Sequence, residues 1–88
     1  MQIEITHKFR KQVNRLTDKK LKNKIHKLIV EIAKAHNLSE IKNLKKLKGH
    51  QSFYRIRMGD YRIGLQVAGK TIVLAAIDHR SDNYRSFP

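Results

Sequence analysis

The stretch Tyr54 to Ile63, YRIRMGDYRI, leaves the chain little conformational freedom. Gly59-Asp60 is a two-residue turn with glycine in its first central place, as a type II′ hairpin requires. Centring the hairpin there pairs Met58 with Tyr61, Arg57 with Arg62, Ile56 with Ile63 and Arg55 with Gly64. Side chains alternate between the two faces of a strand. Tyr54, Ile56, Met58, Tyr61, Ile63, Leu65 and Val67 therefore share one face, which should pack on helices. Phe53, Arg55, Arg57, Arg62, Gly64 and Gln66 share the other.

That second face sets Arg57 directly opposite Arg62, with Arg55 two residues along. Like charges placed opposite one another cost about 0.2–1 kcal/mol. One reading is a solvated sheet face. The other is a cradle for an anion, with phosphate the best fit, and Gly64 opposite Arg55 would leave room for it to approach. The rest of the charge leans the same way. The chain has 88 residues and a net charge of +13, which favours polyanionic partners: nucleic acid, an anionic membrane or an acidic protein. After residue 50 Lys70 is the only lysine and the other five cations are arginines. Arginine presents a planar fork suited to phosphate, whereas lysine commonly solubilises a surface. The contrast points to the C-terminal half as the site.

The remaining pattern predicts the other elements. In QIEIT, Ile3 and Ile5 alternate with polar residues, as in a short strand. Thr6 can cap a helix carrying Phe9, Val13 and Leu16, and Thr17-Asp18 marks a new helix start. Leu21, Ile25, Leu28, Ile29 and Ile32 then draw one apolar stripe opposite a lysine face, with Asn37 as a stop. This predicts helices over about residues 7–16 and 18–36. Leu38, Ile41, Leu44 and Leu47 recur every three residues, which suits a short helical turn and a packed connector ended by Gly49. Strands near 53–58, 61–67 and 71–79 follow, with Ala68-Gly69-Lys70 as the second turn. IVLAAI, Ile72 to Ile77, is apolar on both parities. It fits a central strand covered on both faces and leaves the second hairpin's register open.

Length argues for one small domain over residues 1–88, with a thin core. The absence of cysteine excludes disulfides and thiolate metal sites and fits a reducing compartment. No apolar run suits a signal peptide or a bilayer span, so a cytoplasmic protein without a membrane partner is expected. His7, His26, His36 and His50 lack metal-ligand spacing. There is no nucleophile elbow and no phosphate-binding glycine loop. The scattered acids do not suggest a carboxylate pair. Phosphate chemistry here would fall to Arg, Tyr and one His. His79 is the histidine next to the arginine-rich region, either a bystander or a proton carrier. Tyr84, four residues after Arg80, is either a core residue or a platform for a base. RNA cleavage can run on such groups, because the ribose 2′-OH is a built-in nucleophile.

LKKLKG before the sheet, YRIRMGDYRIGLQV across the hairpin and DHRSDNYR at the end resemble the RelE/ParE superfamily of bacterial toxins. The resemblance covers nearly the whole chain. It implies an α+β fold: two N-terminal helices packed on a mainly antiparallel four-stranded sheet, in the order β-α-α-β-β-β. It implies a toxin of a type II toxin–antitoxin system. RelE-type members cut mRNA in the ribosomal A site without a metal or other cofactor, leaving a 2′,3′-cyclic phosphate and a 5′-OH. An antitoxin whose acidic or amphipathic segment wraps the toxin holds them inactive. ParE-type members instead poison DNA gyrase. Carried onto this chain, the basic positions fall on Arg55 and Arg57, the transition-state arginine on Arg62, the leaving-group residue on Arg80 and the base-stacking aromatic on Tyr84.

RelE itself has lysine at the positions of Arg55 and Arg57. Arginine effectively cannot give up its proton, so Arg57 is a poor general base and His79 is the natural replacement. The expectation is a ribosome-dependent mRNA endoribonuclease with Arg57, Arg62, His79, Arg80 and Tyr84 at the reaction. Arg55, Lys45, Lys46 and Lys48 would hold the RNA backbone. The alternatives are a gyrase inhibitor on the same fold and an RNA-binding module that does not cut.

Overall fold

A computed structural model describes residues 1–82 and 87. Each helix starts where a side chain can satisfy the first free N–H groups. The Thr6 hydroxyl accepts from Phe9 N–H at 3.1 Å and opens α1, His7–Asn14. The Asp18 carboxylate accepts from Lys20 and Leu21 N–H at 2.9 and 3.2 Å and opens α2, Lys19–Lys34. Phe9 from α1 and Leu21, Ile25, Leu28 and Ile32 from α2 are buried in one core. Both helices are slightly shorter than the periodicity predicts, because Arg15 and Ala35 already act as caps. Asn37 does not end α2. Its side chain caps the short 3₁₀ turn Leu38–Glu40 instead.

Among the described residues the sheet has five strands, one more than predicted. They are β1 (Gln2–Ile5), β2 (Leu44–Lys46), β3 (Phe53–Met58), β4 (Tyr61–Ala68) and β5 (Thr71–His79), in the spatial order β1-β5-β4-β3-β2. The additional strand is β2, inside the segment predicted as a helical connector. Leu38 does lie in a helical turn, but Asn43 takes φ +63° and redirects the backbone. Asparagine tolerates that left-handed conformation better than most residues. Beyond it Leu44, Lys45 and Lys46 pair with Ile56, Arg55 and Tyr54 of β3. The spacing of three among the leucines therefore spans a turn and a strand. Every pair is antiparallel except β1–β5, which is parallel.

The first hairpin has the register expected from its turn, with Met58 opposite Tyr61, Arg57 opposite Arg62 and Arg55 opposite Gly64. Gly59 takes φ +59°. Ile56, Ile63 and Leu65 face the helices and are buried.

The second hairpin carries the irregularity that IVLAAI conceals. Gly64 pairs with Ala76 but Leu65 pairs with Leu74, so Ala75 is a bulge. Ile72 and Leu74 face the core on one parity, and beyond the bulge Ile77 faces it on the other. The backbone groups around the bulge find side-chain partners. The Thr6 hydroxyl donates to Ala75 O at 2.9 Å, and Ile77 N–H donates to Gln12 Oε1 at 2.9 Å. No helix among the described residues is long and apolar enough to cross a membrane.

Candidate active site

The sheet face turned away from the helices collects the arginines. Across β3, β4 and β5 runs the row Arg57–Arg62–Asp78, and beside it the row Arg55–Gly64–Ala76. Lys45 of β2 stands opposite Arg55 and extends the second row with another cation. Arg57 is exposed, while Arg55 and Arg62 are half-buried. The Nε atom of Arg62 is buried without a hydrogen bond of its own, although the residue has other interactions.

Asp78 is the residue that sequence reasoning passed over. It is 6% exposed, and among the described residues it is the one buried charged side chain. It stands directly opposite Arg62. Opposite charges facing each other across strands attract, so Asp78 offsets the repulsion between Arg57 and Arg62. Its place was hidden because the bulge decides which face it takes. With unbroken alternation from Ile72 and Leu74, Asp78 would have pointed into the core.

The other predicted residues divide. Arg80 lies one residue beyond β5 in the 3₁₀ turn Arg80–Asp82 and is exposed. Its N–H donates to Asp60 O at 2.7 Å, which holds it beside the first hairpin's turn. His79 goes elsewhere. It pairs with Tyr61 on the helix side of the sheet, with ring centroids 4.8 Å apart and planes at 74°. It borders a cleft with Gln12, Arg15 and Asp82. Ser81 N–H donates to His79 Nδ1 at 3.0 Å, so Nδ1 is an acceptor and a neutral ring carries its proton on Nε2. The structure thus brings Arg55, Arg57 and Arg62 together and sets His79 on the opposite face. Lys46 pairs with Tyr54, and Lys48 follows in the loop after β2. Tyr84 lies outside the described residues.

The space left by Gly64 is occupied. Its backbone lies under the ring of Phe87, and a Cβ at that position would collide with the ring. Glycine is therefore required there by the chain's own aromatic side chain rather than held open for a ligand. Among the described residues no three His, Cys, Asp or Glu side chains group as metal ligands would.

The family model for the ParE toxin of the type II toxin–antitoxin system parDE matches residues 3–84. The chain is a toxin of the RelE/ParE superfamily. Toxin RelE3 of Methanocaldococcus jannaschii is 39% identical over 69 residues, which span 77% of this toxin and 78% of that relative. A chain of the RelB–RelE antitoxin–toxin complex from Methanococcus jannaschii superposes with a TM-score of 0.81 at 32% identity. That match covers 97% of this toxin and 99% of the other chain. A chain of the intact Escherichia coli RelBE complex shares the fold at TM-score 0.69 and 18% identity, over 89% of this toxin and 94% of its own length.

Proposed function

We propose that this toxin is a metal-independent endoribonuclease that cuts mRNA on the ribosome. The observation that carries the reading is the arginine face: Arg57 opposite Arg62, with Arg55 and Lys45 in the next row. A phosphodiester there would sit among several permanent donors. Arg57 and Arg62 would hold its non-bridging oxygens and stabilise the added negative charge of the transition state. The ribose 2′-oxygen attacks phosphorus, the bond to the 5′-oxygen breaks, and a 2′,3′-cyclic phosphate and a 5′-OH remain. The 2′-OH proton leaves to water. The leaving oxygen takes up a proton from water while Arg80 donates a hydrogen bond to it. In this reading His79, on the other face, does not carry the proton. Tyr84 would stack on a base, and Arg55, Lys45, Lys46 and Lys48 would follow the RNA backbone.

A cognate antitoxin is the second partner. RelB accompanies RelE in the solved complexes of relatives. In this toxin a groove between α2 and the first hairpin sets Lys24, Lys27, Lys42 and Arg57 around Leu28 and Met58, with Glu31 as its acid. Basic rims over an apolar floor suit an acidic, amphipathic segment.

The test is to map mRNA 5′ ends in a translating extract with wild type, Arg62→Ala and a ribosome-free control. New 5′-OH ends in translated frames, absent from both controls, are expected. Intact mRNA with growth-arresting protein would overturn the reading. A gyrase-directed toxin is the competing reading, favoured by the ParE family model that matches the chain. Inhibition of gyrase supercoiling by the purified toxin, with mRNA intact, would establish it.

A further inference from the structure

The loop between β2 and β3 carries a feature that the arginine rows do not use. His50 stacks on Phe53, with ring centroids 5.2 Å apart and 27° between the planes. Phe53 in turn meets Phe87 at 5.1 Å and 55°. Phe87 and Phe53 are half-buried, whereas His50 is exposed. With Lys46, Lys48 and Gln51, His50 lines a recess of about 530 Å³. The loop that presents it is tied down. Leu47 N–H donates to Phe53 O at 2.9 Å, His50 N–H to Leu47 O at 3.3 Å, and Val67 N–H to Ser52 O at 2.9 Å.

An open ring supported from beneath by other rings, with lysines close by, has the makeup of a single-strand nucleic-acid contact. The ring offers a π-face to a base and the lysines meet its phosphates. We propose that His50, backed by Phe53, is a nucleobase-stacking subsite, with Lys46 and Lys48 on the adjoining phosphates. The inference rests on the RNA-cleaving reading above and adds to it. Phe53 and Arg57 lie on one strand face, four residues and about 13 Å apart at the usual strand rise. That is several times the ~3.4 Å rise per nucleotide of a stacked strand. The stacked base therefore belongs to a nucleotide flanking the cut. A loop histidine that merely shields Phe53 would not respond to RNA.

The experiment follows the His50 ring protons by NMR while a 2′-O-methyl tetranucleotide, which cannot be cut at its own riboses, is added at low salt. Upfield shifts are expected, and a sugar–phosphate chain without bases should not produce them. His50→Ala should weaken binding roughly 5- to 150-fold, the usual worth of one stacked base. His50→Tyr should restore it. Unshifted ring protons, or unchanged affinity in His50→Ala, would overturn the proposal. The same variants in the translating extract separate the two readings. Cleavage by wild type, with His50→Ala cutting the same sites at the same rate, removes the subsite and leaves the nuclease. Intact mRNA with the NMR shifts present removes the nuclease and leaves an RNA-binding contact.

Discussion

Ile56, Ile63 and Ile77 form one row across β3, β4 and β5, and Arg57, Arg62 and Asp78 form the next. Each arginine or aspartate is one residue away from an isoleucine. The first row is 2%, 0% and 5% exposed and lies under the helices. The second runs from exposed Arg57 through half-buried Arg62 to buried Asp78 on the far side of the sheet. The same ladder serves both, so what separates a core from a candidate active site is phase. Phase is set by the Gly59-Asp60 turn on one side of β4 and by the Ala75 bulge on the other.

The largest expected effect comes from putting a charge into the first row. Ile63 is fully buried in the core, so Ile63→Asp would seat a carboxylate among apolar side chains. Burying an unpaired charge costs several kcal/mol, comparable with the whole stability of a small domain. That variant should give no cooperative unfolding transition by circular dichroism. Deleting Ala75, which closes the bulge and leaves Ile77 and Asp78 on their own faces, should still fold.

Point substitutions in the two rows should then separate stability from activity. Ile63→Ala should lose about 2–5 kcal/mol of stability in urea denaturation. Arg57→Ala, at the exposed end of the second row, should leave stability nearly unchanged and lower the cleavage rate about 10²–10³-fold, by analogy with loss of a transition-state donor. Equal losses of stability in both variants would erase the distinction between the rows.

Asp78→Asn is a smaller and more diagnostic change. It removes the acid facing Arg62, so about 0.2–1 kcal/mol of stability should go. The loss should shrink at high salt, where charges are screened. Binding of inorganic phosphate to the arginine face should tighten, because one competing negative charge is gone. An unchanged phosphate affinity would mean that Asp78 does not act on this face.

The smallest effect concerns neither row. Glu40 accepts a hydrogen bond from the His36 backbone N–H, which holds its carboxyl below the ordinary value of 4.5. A depressed carboxyl contributes stability above its unfolded pKa and loses it as pH falls through the folded one. Lowering the pH below 4.5 should therefore narrow the gap between wild type and Glu40→Gln. Thermal melts on either side of that value would detect it.

Much of this could be read from the residues, and the reasons are local. The first hairpin was legible because a two-residue glycine turn fixes register, and its alternation is strict from Tyr54 to Val67. The helices were legible from their caps and apolar stripes. β2 was not, because three residues are too few to show a period and the leucines before it mimic a helical one. Nor was the role of Asp78, since a bulge inside an all-apolar run leaves no mark on the pattern. The filling of the Gly64 space by Phe87 depends on a contact between residues far apart in sequence, which no local pattern records. His79 illustrates the converse: neighbouring Arg80 in sequence placed it near the arginines, but the pleat sends it to Tyr61.

The position of β5 bears on how such a toxin comes into being. β5 lies between β1 and β4, yet it is the last of the five strands to be synthesised. While it is still within the ribosome, β1 has no neighbour to pair with, and the row Arg57–Arg62 lacks its acid. Sheets whose first strand must wait for the last are assembled late and through long-range contacts. The row that sets Arg57 and Arg62 beside Asp78 is therefore completed only after β5 has left the ribosome.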